Sequence, residues 1–253
     1  MIEYGRILWR GLNEKQDSSY DTEIEFCRKY GFSCMQITYR DGRLQYDTLP
    51  DPKEKVILDT GFPIIIHAIF DVEDYDKYAN DLLRILTFLN HKEVIIHPIC
   101  EPSLATLATK ETIFKLSEHN KKTADMFLSE GITVYHENNA RLLPFNSMPE
   151  DLKIIFSESP ATEFILDISH IDGYEHLQDM INIKYPKMLH IADRRFSVGH
   201  EHLPIGDGDI DFELIFSKYL NDFNGKIILE ISEYENVIID SMAKIQKAMN
   251  SCE

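Results

Sequence analysis

The sequence has few cysteines and few cations. Its four cysteines form no CxxC pair, and 26 Lys and Arg stand against 43 Asp and Glu, a formal net charge of −17. No N-terminal segment combines a basic start with a long apolar stretch, so we expect a cytoplasmic protein with reduced thiols. The negative charge disfavours general attraction to nucleic acid or to an anionic membrane, and favours small molecules as partners.

Long apolar runs and linkers are also lacking. No run approaches the roughly 20 apolar residues that a membrane span needs, and no Pro-, Gly- or Ser-rich segment divides the 253 residues. With 43% hydrophobic residues, we expect one domain over residues 1–253 with a large core. No GxGxxG or GxxxxGK follows the first strand-like run, which argues against an open nucleotide-binding sheet.

What the chain does contain is eight short strand-like runs alternating with helix-like segments. The helical spacing is clearest in residues 74–90 and 109–129, and an acidic turn opens another predicted helix at 209–220. Alternation of this kind argues for parallel βαβ units, and eight of them predict a closed (β/α)₈ TIM barrel. The predicted strands are residues 5–12, 33–39, 63–69, 93–99, 133–138, 163–168, 187–192 and 226–231.

Six of these apolar runs end on a residue that can bind a metal or move a proton. Successive ends lie 23 to 40 residues apart, about the length of one βα unit. Strand side chains alternate, so these ends should point into the barrel at its C-terminal mouth, where such barrels keep their chemistry. The six residues are His67, His97, Glu137, Asp167, His190 and Glu230.

Four of the six predict a metal site. Glu137, Asp167, His190 and Glu230 would place three carboxylates and one imidazole together, and three such carboxylates would repel one another without a cation. We expect a divalent ion, Mn²⁺ or Zn²⁺ before Mg²⁺, Co²⁺ or Fe²⁺. A single strand-end His or Glu is more often hydrogen-bonded or ion-paired, but six in phase favour the metal site.

Two further motifs sharpen the pattern. DISH places His170 three residues after Asp167, and HEHLPIGDGDIDF places His202 before a Pro-Ile-Gly-Asp-Gly turn. With the strand ends, these motifs make residues 63–235 resemble the xylose-isomerase-like TIM-barrel superfamily. That group holds sugar isomerases and epimerases, inosose dehydratases and the zinc endonuclease IV enzymes.

The resemblance implies roles for particular residues. The four predicted ligands match those that hold the single divalent metal of the sugar epimerases, with Glu137 and Glu230 also matching the pair that moves the proton. His170 matches a catalytic residue that contacts metal-bound water or a substrate oxygen. Asp193 matches the acid of an H-x-x-D element, in a supporting or a direct role.

A larger ligand set is also implied. His67, His97, His170 and His202 match most of the additional ligands of the trinuclear zinc cluster in endonuclease IV. The match is incomplete, because His200 stands where that family has an Asp.

We therefore predict a metal-dependent isomerase or epimerase of a sugar, sugar phosphate or inosose, acting by Glu-mediated proton transfer through a metal-stabilised enediolate. The alternatives are an endonuclease IV-like zinc phosphodiesterase acting on abasic DNA and a non-catalytic metal-bound ligand sensor. Arg194 and Arg195 could bind a substrate phosphate, or form solvated ion pairs. Trp9 could stack on a sugar ring, or belong to the core. The sequence does not indicate the oligomeric state.

Overall fold

The computed structural model describes residues 2–8, 20–44, 53–99, 110–143, 145–231 and 234–251. Trp9 lies outside these residues. Their strands are β1 (Glu3–Leu8), β2 (Cys34–Arg40), β3 (Arg43–Leu44), β4 (Ile64–Asp71), β5 (Glu93–Ile99), β6 (Thr133–Glu137), β7 (Glu163–Asp167), β8 (Met188–Ile191) and β9 (Lys226–Leu229). Their helices are α1 (Tyr20–Tyr30), α2 (Lys53–Thr60), α3 (Asp74–Phe88), α4 (Lys110–Ser129), α5 (Pro149–Glu158), α6 (Tyr174–Ile183), α7 (Phe212–Leu214) and α8 (Glu235–Asn250).

The strands form the predicted TIM barrel. Eight strands, β1, β2 and β4 to β9, run parallel in chain order, and pairing of β1 with β2 closes the ring. β3 was not predicted; it pairs antiparallel with the end of β2 outside the ring. Asp41 and Gly42 join the two strands with φ angles of 53° and 76°. Two central residues with positive φ suit a two-residue hairpin, and Asp-Gly is a preferred sequence for one.

The barrel interior is built in two layers. The lower layer is apolar and consists of Cys34, Ile65, Ile95, Tyr135, Ile165, Met188 and Ile228, which form one buried cluster. Because strand side chains alternate, the residue two positions later on each strand also points inward and lies nearer the C-terminal mouth. These upper residues are Gln36, His67, His97, Glu137, Asp167, His190 and Glu230. The predicted inward direction of the strand ends is confirmed, and an apolar floor supports them.

The helices cover the outside of the barrel with their apolar faces. In α3 the buried residues are Tyr75, Ala79, Leu82, Ile85 and Leu86, at helical spacing. The helix predicted at 209–220 begins only at Phe212, where the Asp211 carboxylate accepts a hydrogen bond from the Leu214 amide at 2.9 Å. It continues as a π-helical turn over Ile215–Tyr219. None of the helices in the described residues has the length and apolar character needed to cross a bilayer.

Candidate active site

The four predicted ligands converge at the C-terminal mouth. Glu137 and Asp167 are the last residues of β6 and β7, His190 lies in β8, and Glu230 directly follows β9. Asp167 is paired in register with His190. All four are buried, and one ligand atom from each lies within 4.8 Å of those of the other three. The ring of strands therefore brings together three carboxylates that are far apart in the sequence.

Glu137 and His190 form the closest contact in this group. His190 Nδ1 lies 2.8 Å from Glu137 Oε1 and 3.5 Å from Glu230 Oε1. Burial alone would lower the pKa of His190, but the two glutamates raise it to about 9. Burial alone would raise the pKa of Glu137, but the neighbouring histidines, His190 first, bring it well below its usual value. The Glu137 carboxylate is therefore ionised at neutral pH.

Asp167 and His170 present two buried atoms that lack hydrogen bonds. Asp167 Oδ1 accepts from the Ser169 amide and hydroxyl, each at 2.7 Å. Asp167 Oδ2 faces His170 Nε2 at 3.2 Å, and neither atom has a hydrogen-bond partner among the described residues. His170 Nδ1 lies 2.8 Å from the Asn138 carbonyl oxygen, which can only accept, so Nδ1 carries the proton and Nε2 carries a lone pair in the neutral ring. A cation between the two atoms would satisfy both.

Two other histidines are oriented in the same way. His97 Nε2 donates to Asn139 Oδ1 at 2.6 Å, and its Nδ1 faces Glu137 Oε2 at 3.6 Å. Burial lowers the pKa of His97 to about 3, so its ring is neutral at neutral pH. His202 Nδ1 donates to the Glu230 carbonyl at 3.1 Å. A ring nitrogen that donates to the protein turns the other nitrogen toward the cluster, as in most metal-binding histidines; in His202 that nitrogen, Nε2, lies 3.2 Å from Ser169 Oγ.

The histidines extend the cluster beyond the first four ligands. Three more groups place their potential ligand atoms within 4.8 Å of one another, and two of them share Glu137. These groups are His67 with Glu137 and His190, His97 with Glu137 and His170, and His170 with His200 and His202. The group of Glu137, Asp167, His190 and Glu230, called here the carboxylate-rich group, suits a hard divalent cation. The three groups with more histidines, called the nitrogen-rich groups, suit zinc and similar metals. The donors present therefore fit one or more divalent cations.

The sequence matches a known protein family over most of its length. The model of the xylose isomerase-like TIM barrel family matches residues 24–251. The chain belongs to this family. No curated protein matches the chain.

Solved structures share the fold of this family member. A D-tagatose 3-epimerase-like protein superposes with a TM-score of 0.78 at 19% identity, covering 99% of this chain and 98% of that one. D-psicose 3-epimerase with D-tagatose, from Clostridium cellulolyticum, gives 0.72 at 14% identity, covering 98% and 99%. A Thermus thermophilus protein soaked with ZnCl₂ gives 0.69 at 15% identity, covering 99% and 98%. At these identities the likeness establishes the fold.

The two arginines for which the sequence allows either phosphate binding or ion pairs make contacts within the protein. Arg194 is buried, and its Nη1 donates to the carbonyls of Ser169 at 3.1 Å and Gly199 at 3.3 Å. Arg195 is exposed and pairs with Glu201, which its Nε contacts at 3.1 Å. Arg194 therefore holds two loops of this barrel together, and Arg195 forms the solvated ion pair that was the alternative prediction.

Asp193 has the supporting role. Its carboxylate accepts hydrogen bonds from the amides of Arg194 at 2.8 Å, Gly206 at 2.8 Å and Ile210 at 3.2 Å. A side chain at Gly208 would collide with Asp193 Oδ1 and with the backbone of Arg194, so this close approach needs glycine. Asp193 thus fixes the loop that carries His202.

Sequence reasoning missed Gln36. This residue is completely buried on β2 and contacts His67, His190 and Glu230. It is uncharged and lies inside its apolar run rather than at the end, so it does not belong to the pattern of strand-end acids and histidines. The available signal was its position two residues after Cys34, equivalent to that of the other upper-layer residues.

Proposed function

We propose that this chain is a divalent-metal-dependent isomerase or epimerase of a small carbohydrate. The observation that carries the proposal is the pair of buried carboxylates, Glu137 and Glu230, whose ligand atoms lie within 4.8 Å of each other and of Asp167 and His190. The four residues would hold the cation, and the two glutamates would also serve as acid and base. The sugar epimerases of the same fold agree with this substrate class.

The reaction requires removal of a weakly acidic proton from carbon. A bound cation would draw electron density from a carbonyl oxygen and so acidify the adjacent C–H bond. Glu137 is ionised at neutral pH and can take up that proton. Glu230, three strands away around the barrel, would return or remove a proton from another direction.

Burial of both glutamates suits this chemistry. Glu137 is completely buried and Glu230 is 4% exposed, so the protein itself surrounds the acid and base. The apolar floor beneath them fixes the strand ends, and water is largely excluded from the carboxylates. A low-polarity setting strengthens the interaction between a carboxylate and developing charge on a substrate.

The test is exchange of solvent deuterium into a panel of ketoses, aldoses, inososes and sugar phosphates. Wild-type protein supplied with Mn²⁺ or Zn²⁺ should incorporate deuterium next to the carbonyl of at least one of them. Glu137→Gln and Glu230→Gln keep the size and one oxygen but remove the base, so the rate should fall by about a hundredfold or more. Glu118→Gln, an exposed change on α4, should leave the rate unchanged.

The two glutamine variants also separate the two reaction types. Epimerisation with a base on each side needs both glutamates, so both variants should lose turnover. Isomerisation by one shuttling carboxylate should depend strongly on one of them. Exchange that persists at the wild-type rate in both variants would contradict the assignment of Glu137 and Glu230.

A second candidate is metal-dependent phosphodiester hydrolysis at abasic DNA. The observation in its favour is the set of nitrogen-rich groups around His97, His170 and His202, which offers more ligands than one ion uses. Against it stand the net charge of −17 and the internal contacts of the nearby arginines, since Arg141 pairs with Asp172 at 2.9 Å. Binding several phosphates needs several cations on one face. Zinc-dependent incision of abasic DNA without exchange on any sugar would favour this candidate.

A further inference from the structure

Gln36 occupies a position that a metal ligand would be expected to hold. It lies in the upper layer of the barrel, is 0% exposed, and is surrounded by ionisable groups. Its side chain is a neutral amide, which offers two N–H donors and one acceptor oxygen in fixed directions. A buried amide needs hydrogen-bond partners for both its oxygen and its NH₂ group. Its contacts therefore indicate which neighbouring atoms carry protons.

Three hydrogen bonds surround the amide. Gln36 Oε1 lies 2.7 Å from His190 Nε2. Gln36 Nε2 lies 2.9 Å from Glu230 Oε1 and 3.2 Å from His67 Nδ1. Through these contacts β2 is connected with β4, β8 and with the residue after β9. One side chain therefore touches two of the four predicted ligands and one further histidine.

The carboxylate of Glu230 determines which way the amide points. The NH₂ group of Gln36 faces Glu230 Oε1 and donates a hydrogen bond to this carboxylate oxygen. The amide oxygen then faces His190 Nε2, and that nitrogen must carry a proton. His190 consequently presents Nδ1, its other nitrogen, to Glu137 and Glu230.

The second N–H of the amide fixes His67 in the opposite sense. It points to His67 Nδ1, which must accept and therefore carries no proton. His67 Nε2 then carries the proton of the neutral ring and donates to Glu137 Oε2 at 2.8 Å. Both nitrogens of His67 are used inside the protein, and no lone pair remains for a cation.

We propose that Gln36 is a positioning residue that selects the tautomers of His190 and His67. It makes His190 a metal ligand through Nδ1, and it makes His67 a hydrogen-bond donor to Glu137 instead of a ligand. The inference rests on the proposed function only in so far as both need a divalent cation in the carboxylate-rich group. It gives His67, one of the additional predicted ligands, a different role.

The test uses full-length protein loaded with Zn²⁺ and labelled with ¹⁵N-histidine. Long-range ¹H–¹⁵N spectra report which ring nitrogen carries the proton and which binds metal. In wild type we expect His190 with a metal-bound Nδ1 and a protonated Nε2, and His67 with an unprotonated Nδ1 and a protonated Nε2. Metal on either nitrogen of His67, or on Nε2 of His190, would overturn the proposal.

Two substitutions of Gln36 make the prediction specific. Gln36→Met keeps the length but removes all three hydrogen bonds, and Zn²⁺ affinity measured by chelator competition should fall by about 10- to 100-fold. Gln36→Glu keeps an acceptor for His190 but no donor for His67, so His67 should gain a second proton on Nδ1 while Nε2 keeps its proton against Glu137 Oε2 and His190 stays unchanged. Gln178→Met, a control on α6, should change neither quantity.

No substrate is added in these experiments, so the Zn²⁺ affinity and the histidine spectra do not depend on turnover. Predicted tautomers without sugar exchange would leave the Gln36 inference standing and remove the proposed reaction. Circular dichroism checks that the variants fold, and the Gln36→Glu spectrum and the wild-type spectrum each decide the matter if Gln36→Met does not fold. Wild-type Zn²⁺ affinity and tautomers in Gln36→Met would overturn the proposal.

Discussion

Asp167 and His170 carry two buried polar atoms of the candidate site that have no hydrogen-bond partner among the described residues. Asp167 Oδ2 and His170 Nε2 face each other at 3.2 Å in a buried position without hydrogen bonds from the described residues. An unsatisfied buried polar atom costs on the order of 1 to 3 kcal/mol. The remaining atoms of both side chains are bonded to Ser169 and Asn138, so neither can turn away.

Asp167→Asn should therefore stabilise the protein in the absence of metal while weakening metal binding. The Asn oxygen would keep the hydrogen bonds from Ser169, and its NH₂ group would then face His170 Nε2 as a donor. At pH 8 in a chelator, the free energy of unfolding should rise by on the order of 1 kcal/mol. Metal affinity should fall by more than about tenfold, because an anionic ligand is lost. Denaturant unfolding and chelator competition measure the two quantities.

The exposed change Asp179→Asn on α6 is the control for this experiment, and it should move neither quantity. A loss of metal-free stability in Asp167→Asn, with metal affinity retained, would mean that the carboxylate has a structural role.

The strands explain why much of this site could be predicted. Six of the seven polar residues of the upper layer end apolar runs, and side-chain alternation places each of them above an apolar neighbour such as Ile95 or Ile165. The spacing of the βα units then predicted the barrel and placed these residues together at its C-terminal mouth. The bounds of the strands differ from prediction by at most two residues where the structure describes them.

The contacts that the loops make at the candidate site could not be predicted from the sequence. The main-chain carbonyl of Asn138 orients His170 and the side chain of Asn139 orients His97, and both contacts depend on the shape of the loop. The sequence left Arg194 open between phosphate binding and an ion pair, and the structure shows it bonded to two backbone carbonyls, which no residue pattern reveals. The start of α7 was missed for a similar reason, since Asp193 holds residues 206 and 210 in the preceding loop.

His190 is a buried positive charge whose contribution to the stability of the whole protein depends on pH. His190 has a folded pKa raised from 6.5 to about 9 by Glu137 and Glu230, in opposition to burial. A raised histidine pKa contributes stability that is complete below about pH 6.5 and is lost as the pH rises through about 9. Histidines with a lowered folded pKa, including His97, His136 and His200, act in the opposite sense: their contribution is complete above the unfolded pKa of about 6.5 and is lost as the pH falls below it.

Metal-free protein should therefore lose stability between about pH 7.5 and about pH 9, where the unfolded histidines are already neutral, by at most about 1.4 kcal/mol per pH unit. Denaturant unfolding in a chelator at several pH values measures this slope. His190→Gln cannot be protonated and should show a much smaller slope, and bound metal should reduce it in the wild type by replacing the proton on Nδ1. A wild-type slope equal to that of His190→Gln would contradict the charged His190.

The most direct measurement of whether the strand ends form a metal centre is the metal content of the purified protein. Wild type, Asp167→Ala and His190→Ala would be loaded with Mn²⁺ or Zn²⁺, desalted and analysed by inductively coupled plasma mass spectrometry, with circular dichroism to check folding. We predict about one tightly held equivalent per chain in wild type and a sharp decrease in both variants with the fold retained. Equal metal content in all three proteins, or none in wild type, would contradict a cation site built from Glu137, Asp167, His190 and Glu230.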